Sequence, residues 1–226
     1  MRVEHIGDAT LYLGDCLEVM KDIPEKVVDS IITDPPYGTT ACKWDIVIPF
    51  EPMWKELNRV IKPKGAIVLF GSQPFTSALV MSNVKWFKYE WIWEKTMASN
   101  FALSKKQPFK KHENILVFYR KQPTYNPQME DGKPYVDNRN TGTRNTSVGS
   151  ESNLIRRHIN NKGSRYPSTV QKFSNGNNKN VHPTQKPVAL LEYLIKTYTL
   201  EGETVLDFTM GSGSTGVACI NTGRKF

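Results

Sequence analysis

An aspartate, two prolines and a tyrosine, Asp34-Pro35-Pro36-Tyr37, follow directly on the apolar run Ile31-Ile32-Thr33. Adjacent prolines fix two backbone torsions and remove two amide donors, so the turn is rigid and its carbonyls only accept. With a carboxylate at the strand end and an aromatic at the tip, it suits a planar ring bearing an amine. Tyr37 would stack on the ring, while Asp34 and the Pro35 carbonyl accept from the amino group. A second segment, Asp207-Phe208-Thr209-Met210-Gly211-Ser212-Gly213-Ser214-Thr215-Gly216, follows Val205-Leu206. Its glycines match G-x-G-x-x-G at a strand-to-helix turn, where bare backbone lets a nucleotide-like ligand come close. The lysine of a Walker loop is missing, which argues against an ATPase. Only ten residues follow Gly216, which argues against a nicotinamide dehydrogenase with further βα units. A third segment, His182-Pro183-Thr184-Gln185-Lys186-Pro187, opens a helical pattern, as prolines often do.

These segments need elements to hold them. Residues 27–33, 66–70, 115–119 and 204–206 are short apolar runs of the kind buried on both faces of a sheet. In 53–61, Met53, Trp54, Leu57, Val60 and Ile61 share a helical face, and Pro63 and Gly65 end the run; in 188–198, Val188, Leu191, Ile195 and Tyr198 do the same. A further strand is read at 9–13, followed by Gly14-Asp15-Cys16. Alternating strands and helices predict an α/β fold with a largely parallel sheet and a ligand site at the carboxyl ends of its strands.

The chain has 226 residues, 38% of them hydrophobic, enough for a real core. Its net charge of +8 suits a polyanionic partner. Residues 121–180 hold ten Lys/Arg against four acids, with eleven Asn and few aliphatics, and read as a polar, basic insertion. The three cysteines, Cys16, Cys42 and Cys219, form no Cys-x-x-Cys pair. Neither a disulfide framework nor a zinc ribbon is expected, no metal is implied, and the chain reads as reduced and intracellular. The N-terminal dozen residues lack the apolar run of a signal peptide, and no stretch approaches a membrane span.

Together the three segments resemble the amino-methylating DNA methyltransferases that use S-adenosylmethionine. Asp34–Tyr37 is similar to their catalytic D-P-P-Y motif, Asp207–Gly216 to their cofactor loop and His182–Pro187 to their H-P-T-Q-K-P segment. The order (catalytic motif, insertion, H-P-T-Q-K-P, cofactor loop) resembles the circularly permuted β class, and the whole pattern is similar to phage-encoded, stand-alone members. The resemblance implies a Rossmann-like methyltransferase sheet divided into a catalytic part (1–121), a target recognition insertion (122–180) and a cofactor-binding part (181–226). It implies methyl transfer to adenine N6 in duplex DNA, after the base is flipped out, directly and without a covalent enzyme intermediate. Cytosine N4 enzymes more often carry Ser in place of the Asp; they are the alternative, along with a non-catalytic DNA-binding remnant.

The resemblance also distributes roles. Asp34, Pro35, Pro36 and Tyr37 are the catalytic turn. Asp15, Asp34, Thr184, Lys186, Asp207, Phe208, Thr209, Gly211 and Gly213 are the expected cofactor contacts: Asp15 to the adenine amine, Asp207 to the ammonium, Thr184 and Lys186 to the carboxylate. Lys105, Lys106, Lys110 and Lys111, with Arg139, Arg144, Arg156, Arg157 and Arg165, are the expected DNA contacts. The loop 38–48, with Trp44, is expected to close over the extruded base. Phe208 and Thr209 depart from the family's usual Pro and Phe. The family continues beyond Phe226 into a strand carrying an acid for the ribose hydroxyls, so a missing C-terminal strand and a longer native chain are expected. Related enzymes are often dimers, so a homodimer is an expected assembly, acting in the cytoplasm of a bacterial or phage-infected cell.

Overall fold

The structure is a computed structural model that describes residues 2–40, 42–137, 159–175 and 185–226. In chain order its elements are β1 (Arg2–Ile6), β2 (Ala9–Leu13), α1 (Cys16–Asp22), β3 (Val28–Thr33), α2 (Phe50–Val60), β4 (Ile61–Gly71), α3 (Phe75–Ser82), β5 (Phe87–Ser99), β6 (Lys110–Phe118), β7 (Glu130–Asp131), β8 (Tyr135–Asp137), β9 (Ile159–Asn161), β10 (Ser164–Arg165), β11 (Val170–Phe173), α4 (Val188–Tyr198), β12 (Val205–Leu206) and α5 (Ser214–Asn221). The chain forms two compact units: residues 1–126 with 168–226, and Pro127–Pro167.

The first unit is built on a six-stranded sheet of order β11-β5-β6-β4-β3-β12. Its apolar strands are buried on both faces, and the period of two sorts their side chains between two layers. Ala66, Val68 and Phe70 of β4 meet Leu190, Leu191, Leu194, Ile195 and Tyr198 of α4 and Ala218 and Cys219 of α5. Ile67 and Leu69, on the other face, meet Met53, Trp54 and Leu57 of α2 and Phe75 and Leu79 of α3. Each such aliphatic side chain contributes roughly 1.5–3 kcal/mol on burial.

The expectation of a largely parallel sheet needs correction. β12, β3 and β4 are mutually parallel, as are β11 and β5, but β6 runs antiparallel to both β4 and β5. The cause is local: residues 100–109 join β5 to β6 directly, with no crossover helix to reverse the direction. The start of β6 therefore lies beside the carboxyl end of β4, with Gly71 opposite Asn114. That reversal brings β6 residues to the catalytic edge.

The strand read at 9–13 is β2, which pairs with β1 in its own antiparallel ribbon. Lys225 and Phe226 run between this ribbon and β12. Lys225 N–H donates to the Glu203 carbonyl and Val205 N–H to the Lys225 carbonyl (both 2.9 Å), while Thr10 N–H donates to the Phe226 carbonyl at 2.8 Å and Phe226 N–H to the Asp8 carbonyl at 3.0 Å. These two residues thus join the ribbon to β12 through main-chain hydrogen bonds.

The basic stretch divides. Val170–Phe173 is an edge strand of the main sheet, fastened by a 3.0 Å hydrogen bond from the Trp93 indole to the Phe173 carbonyl. The Pro127–Pro167 unit holds two small antiparallel pairs, β7 with β10 and β8 with β9. No helix among the described residues is long and apolar enough to cross a membrane.

Candidate active site

Parallel neighbours β3 and β12 deliver the two principal segments side by side, and hydrogen bonds join them. The Thr33 hydroxyl, at the end of β3, donates to Asp207 Oδ1 at 2.5 Å and lies 2.6 Å from the Thr209 hydroxyl. Thr209 Oγ1 in turn donates to the Asp34 carbonyl at 3.1 Å. The catalytic turn and the glycine loop therefore share one rigid corner.

In that corner both Asp34 carboxylate oxygens are engaged. Oδ1 accepts from the Tyr37 hydroxyl and Oδ2 from Lys186 Nζ, each at 2.5 Å. The Tyr37 ring stacks on Phe75 at 5.2 Å between centroids. Burial, with the charges of Asp34 and Glu113 added, holds the Tyr37 phenol well above its ordinary value, so it stays a donor. Lys186 is buried, its ammonium 5.8 Å from the Tyr37 ring centroid and 5.1 Å from that of Phe70. Burial opposes its charge, but Asp34 and then Glu113 outweigh that cost and raise its pKa above the usual lysine value.

Glu113 was missed in the sequence reading. Its Oε2 lies 3.3 Å from Lys186 Nζ, and its Oε1 pairs with Lys95 of β5. A chain of alternating charge results, buried at Lys186 and half-buried at the other three members: Lys95, Glu113, Lys186, Asp34. Burial disfavours the Glu113 anion, yet Lys186 and Lys95 together hold its pKa below the ordinary glutamate value. The available signal was charge inside an apolar strand: Glu113 directly precedes Asn114 and the buried run from Ile115 to Phe118.

Asp45 was also missed. Its Oδ1 accepts from the backbone N–H groups of Tyr37 (2.7 Å) and Gly38 (2.8 Å), and its Oδ2 from those of Thr39 (2.9 Å) and Thr40 (2.7 Å). One carboxylate thus fixes the exit of the catalytic turn. Burial raises its pKa, but the hydrogen bonds from Thr40, Gly38 and Thr39 prevail and lower it. Gly38 sits at φ +67°, a backbone state that other residues rarely adopt.

Several expected roles look different in place. Asp207 is half-buried and engaged by three threonines: Oδ1 accepts from Thr33 and from Thr209 N–H (3.1 Å), and Oδ2 from the Thr215 hydroxyl at 2.8 Å. Burial raises its pKa despite the Thr33 and Thr215 hydrogen bonds. It organises the loop. Asp15 caps α1, with Oδ1 accepting from Leu17 and Glu18 N–H at 2.9 and 3.3 Å. Phe208 is buried in the layer with α2 and α3. Lys186, expected toward a cofactor carboxylate, is on Asp34. Gly213, at φ +78°, begins α5, and a Cβ built at Gly211 meets open space, leaving room for a ligand against the backbone. Thr184 lies outside the described residues.

Among the expected DNA contacts, Lys105, Lys106 and Lys111 are exposed. Lys110 is half-buried, and its ammonium donates to the Ser72 hydroxyl; burial lowers its pKa. Arg165 makes contacts within its own unit, over the Tyr135 ring at 4.5 Å and on Asn161 Oδ1 at 2.5 Å. Arg139, Arg144, Arg156 and Arg157 lie outside the described residues. Trp44 is exposed at 52%. Burial pushes the Cys219 thiol up to about 12 and raises that of Cys16, so neither is a ready nucleophile. No cluster of metal-binding side chains is found among the described residues. The corner offers a positioned carboxylate and an ammonium rather than a covalent nucleophile.

Known proteins resemble this chain in sequence and fold. The chain is 29% identical to the type II methyltransferase M.HpaI of Haemophilus parainfluenzae over 96% of its own length and 68% of that protein's. It is 30% identical to the DNA adenine methyltransferase YhdJ of Escherichia coli K12, over 96% of this chain and 76% of that one. Its fold superposes on the crystal structure of the M1.HpyAVI–SAM complex with a TM-score of 0.61 and 25% identity, covering 95% and 90% of the two chains. The cytosine-N4-specific PvuII DNA methyltransferase matches at TM-score 0.67 but 16% identity, over 96% and 79% of the chains, a likeness of fold alone. The cofactor is S-adenosylmethionine. With residues 28–226 matching the family model described as DNA methylase, which spans N6 and N4 methyltransferases, the chain belongs to the DNA methylase family.

Proposed function

We propose that this DNA methyltransferase modifies the N6 amine of adenine in duplex DNA, with the base turned out of the helix. The observation that carries this reading is Asp34 at the end of β3, its carboxylate fixed by Tyr37 and Lys186 and its backbone carbonyl accepting from Thr209 of the glycine loop. An exocyclic amine is a poor nucleophile because its lone pair is delocalised into the ring. Accepting hydrogen bonds from Asp34 and the Pro35 carbonyl localise that pair on nitrogen and aim it. S-adenosylmethionine supplies a methyl group on a positively charged sulfur. To accept from the amine, Asp34 exchanges the Tyr37 or the Lys186 hydrogen bond for one from the base, and it then takes the proton that the methylated nitrogen loses. Catalysis is positioning and electrostatics.

On this reading Gly211 and Gly213 admit the cofactor to the backbone, Lys186 and Thr184 meet its carboxylate, and Asp15 and Asp207 retain lone pairs for its amines. Tyr37 lines the base pocket. Lys105, Lys106, Lys110, Lys111, Arg139, Arg144, Arg156, Arg157 and Arg165 are the proposed DNA contacts. The adenine assignment is supported by the aspartate that begins the motif and by the likeness to YhdJ. The proposed setting is a bacterial or phage-infected cytoplasm, where the duplex is accessible, with a homodimer as the proposed assembly.

Labelled methyl transfer to plasmid DNA, followed by digestion to nucleosides, tests the reading. The expected product is N6-methyladenine, and N4-methylcytosine alone would overturn it. Asp34→Ala is expected to reduce transfer by about 10²–10³-fold or more while cofactor binding, measured by calorimetry, is largely kept.

A further inference from the structure

The 100–109 connection between β5 and β6 carries two exposed aromatics that no part of the core uses. Phe101 is 60% exposed and Phe109 50%, yet their rings hold each other at 5.2 Å between centroids. Met97 and Leu103 add exposed apolar surface at 57% and 41%. Such a patch on a charged protein calls for a partner. The loop is braced to present it. Asn100 sits at φ +64°; its Oδ1 accepts from Lys110 N–H at 2.8 Å, and its amide donates to the Pro108 carbonyl at 3.2 Å.

Charge identifies the partner. From Lys95 to His112 the chain has five lysines and no acid. An apolar tip within a cationic rim fits a polymer that is anionic outside and apolar between its stacked layers, which describes duplex DNA. Position agrees. Phe109 precedes Glu113 by four residues, about 13 Å of extended chain, and Glu113 touches Lys186 in the catalytic corner. Phe109 is thus joined to the catalytic corner by a few residues of one strand, close enough to meet the duplex beside a base turned out into that corner.

We propose that Phe101 and Phe109 form a wedge that enters the duplex beside the extruded base and fills the vacated stack. The inference rests on the reading that the target base leaves the helix, but not on which base it is. Apolar side chains inserted at a base step unstack it, and the added protein–DNA surface offsets the cost.

The double variant Phe101→Ala/Phe109→Ala tests this, with closed circular plasmid as the probe. Plasmid relaxed by a topoisomerase in the presence of the wild-type protein is expected to retain a linking-number change, because an inserted wedge unwinds the helix. The variant is expected to lose that change and at least tenfold in kcat, while the salt dependence of its plasmid affinity stays the same, since the lysines remain. Absence of unwinding by a wild-type protein that binds the plasmid would overturn the proposal, as would equal unwinding by the variant. Both positions are exposed, so the fold should persist; should the pair fail to fold, Phe101→Ser alone carries the same expectation. If the patch instead seats a second copy, sedimentation of the free protein shows a dimer that the variant loses while unwinding is unchanged, and the wedge is refuted. Wild-type methyl transfer, measured in parallel, tests the methyltransferase reading separately: transfer without unwinding overturns the wedge alone, and unwinding without transfer overturns that reading alone.

Discussion

At the scale of single residues, the site depends on charges that neutralise one another out of water. Glu113 stands between two lysines; without its charge, Lys95 and Lys186 would face each other across a buried gap. An uncompensated buried charge is expensive, and Lys186, repelled by Lys95 and left to Asp34, would hold that carboxylate more tightly and compete with the base for it. Glu113→Gln, which keeps the shape, is therefore expected to lower kcat about tenfold, equivalent to about 1.4 kcal/mol. KM for DNA should change little, Glu113→Asp should recover part of the rate, and Glu113→Gln should cost nothing further in a Lys186→Met background. Steady-state kinetics on the wild type and these four variants measures this. Asp45 acts on the backbone. Its depressed pKa means that its contribution to stability is fully present above the ordinary carboxylate value, near pH 4, and is lost as pH falls through the lower folded value. Asp45→Asn is expected to cost about 2–3 kcal/mol at neutral pH and to remove this part of the acid sensitivity, as read by denaturant titrations at pH 7 and pH 3.

At the scale of elements, β3 and β12 are parallel neighbours whose ends are latched by Thr33, Asp207 and Thr209. The latch makes the catalytic turn and the cofactor loop one body. Thr209→Val keeps the volume but removes the hydroxyl that bridges Thr33 and the Asp34 carbonyl. It is expected to destabilise the fold by about 1–2 kcal/mol and to weaken S-adenosylmethionine binding and turnover together. Calorimetric titration with the cofactor and thermal unfolding read the two effects. A fall in stability with unchanged binding would mean that the latch serves packing alone. The antiparallel β6 works at the same scale, carrying Lys110 and Glu113 to the edge where β4 ends.

At the scale of the whole molecule, charge and shape are divided. Of the net +8, an excess of six lies in residues 121–180. Counterion release then makes DNA affinity fall steeply with salt. Arg156→Ala/Arg157→Ala is expected to lower affinity and reduce the slope of log K against log salt by roughly 1.8, at about 0.9 for each phosphate no longer neutralised. Filter binding at several salt concentrations measures it, and an unchanged slope would assign the phosphates to other basic residues.

The sequence by itself determined the parts that depend on local pattern. β2 at 9–13 and α4 at 188–198 stand where they were read, because alternation, helical periodicity and proline punctuation act over a few residues. Asp34-Pro35-Pro36-Tyr37 and the Asp207–Gly216 loop were legible for the same reason: their residue types restrict the backbone directly. β5 left a signal that went unread, since Phe87, Tyr89, Trp91 and Trp93 alternate with Lys88, Glu90, Ile92 and Glu94. Only the tertiary structure decided that β6 runs backward, that Lys186 rests on Asp34, that Asp207 is consumed by three threonines, and that Lys95 and Glu113 complete the charge chain. Those pairings join residues up to 174 positions apart. Coulomb attraction and hydrogen bonding act over a few ångströms of space, and only the folded sheet brings such distant positions within that range.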